Sequence, residues 1–475
     1  MQDHVDIAIV GAGSAGLSAL RQVKTFTDNY LLIDPGPLGT TCARVGCMPS
    51  KVLIHIANAY YRRHTFTDMG LAGAEHLRCD IPAALRHVRM RRDRFTAGMI
   101  AATRELAGDR LIEGKAVLVG PQRLRIGDRL VKADRIILAP GASPFVPADW
   151  HPFAEHILTS STMFEQETLP ERVAVIGLGA IGLELGQALS RLGIQVAGFD
   201  LASEIGGLSD LDVSAVAQEI MAKEFPLHTG VSATITAADN GLDVRAGGTT
   251  VTVDTIIAAA GSRPNLDGLG LETLGVELDE QGLPSVDPRT LQIGSLPVYL
   301  AGDANGYAPL LHEALDEGFI AGRHSFQADG VPASYCRRPP LRIVFSDPQC
   351  AVVGQSYADL RDTNIAIGQI DFTEQSRAIV EGRNAGLLRL YVEATSGRIL
   401  GAEMAAPGAE HLAHQLATCI HAKMTVKEAL RLPFYHPTLE EGLRTALRHA
   451  GSQLTEGPSP DGLHLCESGP ESALQ

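Results

Sequence analysis

Four things are scarce or missing in this 475-residue chain, and each narrows what it can be. No apolar run is long enough to span a bilayer, so the sequence reads as a soluble protein with no membrane partner. Positive charge is in deficit: a formal net charge of -15 at pH 7 repels nucleic acid and anionic membranes at long range, which argues against both. From Met1 to Val10 no basic segment precedes an apolar one, so no secretory leader is expected and the cytoplasm is the default compartment. Cysteine is sparse, with seven in all, and Cys79, Cys336, Cys350, Cys419 and Cys466 stand singly, which leaves no second ligand pair for a zinc site. No metal centre is expected. Composition is otherwise ordinary for a globular protein, and the length predicts about three domains rather than one core.

What is present is organised around Gly39–Lys51, GTTCARVGCMPSK. Four residues separate Cys42 from Cys47, and a segment that opens a helix coils enough to bring the sulfurs together. A chain of this size buries enough surface to fold without a staple, so the spacing predicts a redox-active pair.

Upstream, the strand-like run Val5–Val10 leads into Gly11-Ala12-Gly13-Ser14-Ala15-Gly16 and a helical pattern; the next strand, Tyr30–Ile33, ends in Asp34. Gly11 permits the tight turn, Gly13 lets a pyrophosphate reach the backbone, Gly16 lets helix and strand approach, and Asp34 is placed to hold a ribose. The same unit returns: Val173–Ile176, then Gly177, Gly179 and Gly182, then Val196–Phe199 ending in Asp200. Both times the acid stands 23 positions after the first glycine. Two dinucleotide sites beside a dithiol call for hydride from a nicotinamide, a flavin that couples it to thiol chemistry, and a disulfide. The redox stretch directly follows the first site, which assigns FAD there and a nicotinamide to the second. Asp200 suits the 2'-hydroxyl of NAD, and no arginine lies in Leu201–Gly207 to receive a 2'-phosphate.

On these motifs the chain, from Val5 to about Ala450, resembles the class I pyridine nucleotide-disulfide oxidoreductases, which include dihydrolipoamide dehydrogenase and glutathione reductase. The redox stretch is similar to the family's GGTCxNxGCxPSK, Gly261–Asn265 resembles its GRxPN, Ala301-Gly302-Asp303 its second FAD signature, and His436-Pro437-Thr438 with Glu441 its closing motif. The resemblance implies an α/β fold: an FAD-binding domain over 1–148, an NAD-binding domain over 149–267, a return to the FAD domain over 268–338 and an α+β dimerisation domain over 339–450. The Gly-, Ser- and Pro-rich tail, 451–475, reads as disordered.

Further roles follow from the resemblance. Cys42 is the interchange thiol and Cys47 the thiol facing the flavin; Lys51 pairs with Glu184 beside flavin N5. For Glu184 the alternative stays open that an acid in a first helical turn simply answers the helix dipole. His436 acts as acid/base on the other subunit's disulfide, oriented by Glu441, in a homodimer. FAD contacts are implied at Gly11, Gly13, Gly16, Asp34, Thr41, Lys51, Gly141, Asp303, Leu311, His312 and Ala314, and NAD contacts at Gly177, Gly179, Gly182, Asp200 and Gly261. The expected reaction is dihydrolipoamide with NAD, the lipoyl group being free or on a separate carrier protein. Reduction of another disulfide, a diaphorase or quinone reductase, and a scaffold subunit remain as alternatives. A single tail cysteine, Cys466, argues against mercuric and high-molecular-weight thioredoxin reductases.

Two departures stand in the redox stretch: Thr40 replaces a glycine, and Arg44 an asparagine. A permanent cation at Arg44 is expected to increase thiolate at Cys42. Arg62, Arg63, Arg89, Arg91, Arg92 and Arg94 read as a solvated helical face, and Trp150–Glu171 as a linker.

Overall fold

The computed structural model describes residues 3–326 and 335–454. Cys466 and most of the tail expected to be disordered lie outside them. Strands β1 (Asp3–Val10) and β2 (Tyr30–Asp34) pair in parallel, with α1 (Ser14–Val23) between them in sequence. Ile7–Val10 and Tyr30–Ile33 are continuously buried runs because the sheet is covered on both faces. Beyond β2 come α2 (Thr41–Arg44), α3 (Cys47–Tyr61) and the 27-residue α4 (Ile81–Ala107). β3 (Leu111–Glu113) flanks β2, and the meander β4 (Ala116–Gly120), β5 (Arg123–Ile126) and β6 (Arg129–Leu138) joins the other edge of β1 through β6.

A two-stranded ribbon, β7 (Ala142–Pro144) against a later partner, leads out of this domain. The second sheet holds β8 (Ile157–Leu158), β9 (Arg172–Ile176), β10 (Gln195–Phe199), β11 (Leu227–His228) and, after the β12 (Thr234–Ala238), β13 (Gly241–Ala246), β14 (Thr249–Val253) meander, β15 (Thr255–Ala258). Its order is β11-β10-β9-β15-β8, with α5 (Ala180–Arg191) and α6 (Leu211–Met221) as crossovers. β8 lies inside the stretch expected to be a linker: Ile157 and Leu158 pair with Ile256 and Ile257, so this segment completes the sheet. β16 (Ser262–Pro264) closes the ribbon with β7, and β17 (Val298–Leu300) returns to the first sheet beside β6. Then α7 (Leu311–His324) packs on α1.

The remaining domain is an antiparallel sheet of β18 (Leu341–Val344), β19 (Gln349–Gly354), β20 (Ile365–Asp371), β21 (Leu387–Glu393) and β22 (Ile399–Ala406), ordered β18-β19-β22-β21-β20. Helices α8 (Tyr357–Leu360), α9 (Ser376–Glu381), α10 (Ala409–His421), α11 (Val426–Ala429) and α12 (Glu441–Gly451) accompany it.

The two nucleotide-binding turns are built alike. Gly11 has φ +105 and Gly177 φ +99, and a Cβ on either would meet the carbonyl oxygen of Ala139 or Ala259 at 2.1 or 2.3 Å. Gly16 and Gly182 bring helix onto turn: their Cβ positions lie 1.9 and 1.7 Å from the carbonyl oxygens of Gly11 and Gly177. Only glycine satisfies both constraints.

One core cluster joins Leu53 and Ala57 of α3, Leu185 and Leu189 of α5, and Val344 and Val352 of the third domain, so the redox helix is packed between the other two domains. Burial also corrects the reading of two of the six arginines, while Arg62, Arg91 and Arg94 are exposed as expected. Arg92 is buried and ion-paired with Glu165, and Arg89 donates to the carbonyls of Phe164 and Gln166. This side of α4 is pinned to the turn at Met163–Glu165 rather than solvated, because the tethering carbonyls and Glu165 leave its guanidinium groups no need of water.

A second polar junction lies at the start of α6. Glu403, fully buried on β22, accepts from the amides of Ser209, Asp210 and Tyr357 and from the Ser209 hydroxyl. Asp210 in turn accepts from the Tyr391 hydroxyl at 2.8 Å and Arg389 at 2.7 Å.

Helices α1 and α7 approach closely because Gly318 carries no side chain: its Cβ would fall 2.1 Å from the Ala15 carbonyl oxygen. Gly318→Ala should lower the urea midpoint. The overpacking cost of about 1–3 kcal/mol exceeds the roughly 1 kcal/mol alanine gains in helix propensity. An unchanged midpoint would show that α7 can retreat freely.

Candidate active site

The redox stretch folds as two helices with a break between them. α2 ends at Arg44, Gly46 takes a non-helical conformation at φ -114 and ψ -110, and Cys47 begins α3. Cys47 therefore sits where free backbone amides and the helix dipole favour a negative sulfur. Thr40, in the place of the family's glycine, adopts φ +59 and ψ 148, a region costly for a β-branched residue. Its hydroxyl caps α2 by accepting from the Ala43 amide at 3.3 Å, which offsets part of that strain.

Cys42 and Cys47 are free thiols joined by a hydrogen bond. Donating that bond and being half-buried hold the proton on Cys42 and push its thiol far up. Accepting it, with Lys51 close by, lowers Cys47 from 9.0 to about 7. The expectation of extra thiolate at Cys42 is thus reversed. The asymmetry comes from the hydrogen bond between the two thiols and from Lys51 behind Cys47, whereas Arg44 is not among the leading influences on either thiol.

Lys51, one turn into α3, meets Glu184 of α5, its Nζ lying 2.7 and 2.9 Å from the two carboxylate oxygens. Glu184 is in the second turn of α5, whose first turn holds no acid, so the helix-dipole reading of this residue is set aside. The pair has a third partner that no motif signals: the Phe345 amide donates to Glu184 Oε1 at 3.0 Å, and its ring lies 4.7 Å under the Lys51 ammonium. A buried carboxylate is thereby satisfied from two sides.

Around the first glycine turn, the Asp34 carboxylate accepts from the amides of Ala12 and Gly36 at 2.6 and 2.7 Å. Asp200 does the same for Leu178 and Ala202. Each acid braces its own loop, a role the spacing did not reveal. A Cβ on Gly13, Gly179, Gly141 or Gly261 would meet nothing within 4 Å, and α1 and α5 have no side-chain cap, so both helix N-termini open onto clear space with unclaimed amides. Thr41 is exposed at the start of α2. Arg44 Nε, Thr96 Oγ1 and His312 Nε2 are buried without hydrogen-bond partners, on segments flanking the first turn. Burial pushes the Asp303 carboxyl up, as suits a group facing ligand hydroxyls rather than water. Leu311, His312 and Ala314 form the first turn of α7. These features fit an FAD in the first domain and a dinucleotide in the second.

Sequence reasoning also missed Arg337, which binds Glu313 at 3.0 Å and Glu317 at 2.7 Å; Glu317 in turn holds the Gly302 amide at 2.7 Å, fixing the loop that carries Asp303. Only the acids at i and i+4 on α7 hint at such a cation.

His436 lies apart, on the third domain. Its Nδ1 is 2.9 Å from Glu441 Oε2, which also accepts from the Thr438 amide at 3.3 Å, and the imidazole is largely exposed.

Comparison with known proteins agrees with this geometry. The family model for pyridine nucleotide-disulphide oxidoreductases matches residues 5–318, and that for their dimerisation domain matches 341–447. The chain is 30% identical to the dihydrolipoyl dehydrogenase of Thermus scotoductus, over 93% of this chain and 96% of that one. It is 28% identical to the human mitochondrial dihydrolipoyl dehydrogenase, over 93% and 89%. Among solved structures, LpdA from Mycobacterium tuberculosis matches with a TM-score of 0.81 at 24% identity, covering 94% of this chain and 99% of that one. The HOCl-induced flavoprotein disulfide reductase RclA of Escherichia coli, as its Cu(II) complex, matches at 0.80 and 22%, covering 92% and 98%, so both share the fold. The chain belongs to the pyridine nucleotide-disulphide oxidoreductases, enzymes that work with FAD and NAD(H).

Proposed function

We propose that the chain is a dihydrolipoamide dehydrogenase: it oxidises a dihydrolipoyl group with NAD through the Cys42–Cys47 disulfide. The observation that carries this reading is the placement of Cys47 at the start of α3, close to Cys42 and one turn before a lysine, Lys51, that is ion-paired with Glu184 at 2.7 Å. Asp200, with no arginine in the seven residues after it, supports NAD, and the curated relatives carry the same activity in their names.

His436, oriented by Glu441, takes a proton from one substrate thiol. The resulting thiolate attacks Cys42 of the active-site disulfide, forming a mixed disulfide and releasing Cys47 as a thiolate next to Lys51. The second substrate thiol, losing its proton, then attacks the substrate sulfur of the mixed disulfide. The cyclic lipoyl disulfide leaves, and Cys42 keeps the electron pair and takes a proton. FAD, when bound, carries the electron pair from this dithiol to NAD. A homodimer in the cytoplasm, with the lipoyl group free or on a separate carrier, completes the reading; the partner subunit would bring its own His436 to this pair.

Steady-state assay with dihydrolipoamide and NAD should show turnover that exceeds that with glutathione or NADP; the opposite preference would overturn the substrate assignment. Cys47→Ser should abolish lipoyl turnover while FAD stays bound, and His436→Gln should lower kcat by about a hundredfold or more. In the reduced protein, alkylation of the pair should rise with a midpoint near the value of about 7 at Cys47. Loss of a neighbouring cation disfavours the thiolate, so Lys51→Met should move that midpoint upward by about one unit or more. A midpoint that stays put would remove Lys51 from its role.

A further inference from the structure

The redox helix is tied to the nucleotide-domain helix at a second level. Asn58 stands seven residues after Lys51 on α3, and Arg191 seven residues after Glu184 on α5. Arg191 Nη1 donates to Asn58 Oδ1 at 2.6 Å. Two contacts that advance together along both helices mean that α3 and α5 run parallel, with two rungs about 10 Å apart. One rung would leave α3 free to pivot about Lys51; two fix its rotation and its slide.

Arg191 is buried and fully committed. It binds Glu224 at 2.6 and 2.7 Å and Asp347 at 3.1 Å, and it lies over the Tyr61 ring at 4.3 Å. The third domain reaches both rungs from two residues of one short segment: Phe345 serves the Lys51–Glu184 rung, and Asp347 the Arg191–Asn58 rung. Between them Gln187 of α5 exchanges two 2.8 Å hydrogen bonds with the Asp347 backbone. Asp347 is balanced by Arg383 at 2.7 Å.

We propose that Arg191, acting through Asn58, is a positioning residue for the redox pair, holding α3 in register with α5 so that Lys51 stays beside Cys47. The inference rests on the disulfide-oxidoreductase reading. The groups that face Cys47 are the Cys42 thiol from α2, Lys51 from its own helix and Glu184 from α5. A slip of α3 against α5 changes the last two together.

The test uses the FAD-loaded full chain, reduced with a phosphine, and follows the pH dependence of alkylation of the Cys42–Cys47 pair, with adducts located by mass spectrometry. Asn58→Ala cuts the second rung and leaves the ion network of Arg191, Glu224 and Asp347 intact, so it serves even if Arg191→Gln fails to fold. Asn58→Ala should move the alkylation midpoint upward by about half a unit or more and lower kcat several-fold with FAD content unchanged. Asn58→Asp keeps the acceptor and should retain the wild-type profile. A wild-type profile with no lowered thiol would overturn the oxidoreductase reading itself. A lowered wild-type thiol whose midpoint Asn58→Ala leaves in place would overturn the role of Arg191 alone.

Discussion

Lys51 and Glu184 hold the structure's parts in relation to one another. Taking a carboxylate out of water is costly unless its oxygens are met, and here one oxygen receives both a lysine from the first domain and an amide from the third. The pair itself joins the first two domains, and its full set of partners, with the Phe345 amide, is present only when the third is docked as well, as is the apolar cluster shared by Leu53, Leu185 and Val344.

The same junction explains why two cysteines five positions apart differ so strongly. Both belong to one short stretch, yet the helix break at Gly46 gives Cys47 a helix N-terminus and a lysine one turn away, while Cys42 ends up as a donor. A continuous helix through the stretch would have placed both sulfurs on ordinary helical backbone. The break is a backbone property, and it gives the two sulfurs of one short stretch unlike surroundings.

Much of the fold was legible because it is written locally. The glycine turn and acid of each nucleotide unit lie 23 positions apart directly after the strand, and the turns are dictated by sterics that only glycine meets. His436 and Glu441 are likewise neighbours in sequence. What escaped depends on partners far along the chain. Phe345 lies 161 residues from Glu184, Arg92 lies 73 from Glu165, and Arg191 lies 133 from Asn58. Composition shows Arg92 as one more charge on a helix; only the folded chain shows the acid that buries it. Arg44 misled for a related reason: nearness in sequence to Cys42 says nothing of where a long side chain ends.

Glu403 bears on how separable these domains are. The amides at the start of α6, which belong to the nucleotide-binding unit, are satisfied by a carboxylate from the third domain, and Asp210 in that unit depends on Tyr391 and Arg389 from the same source. Excised alone, the unit would expose those amides and a carboxylate stripped of its donors. The repeated glycine turn looks like an interchangeable cassette, but this copy has outsourced part of its own closure, so grafting it elsewhere would require bringing a piece of its neighbour along.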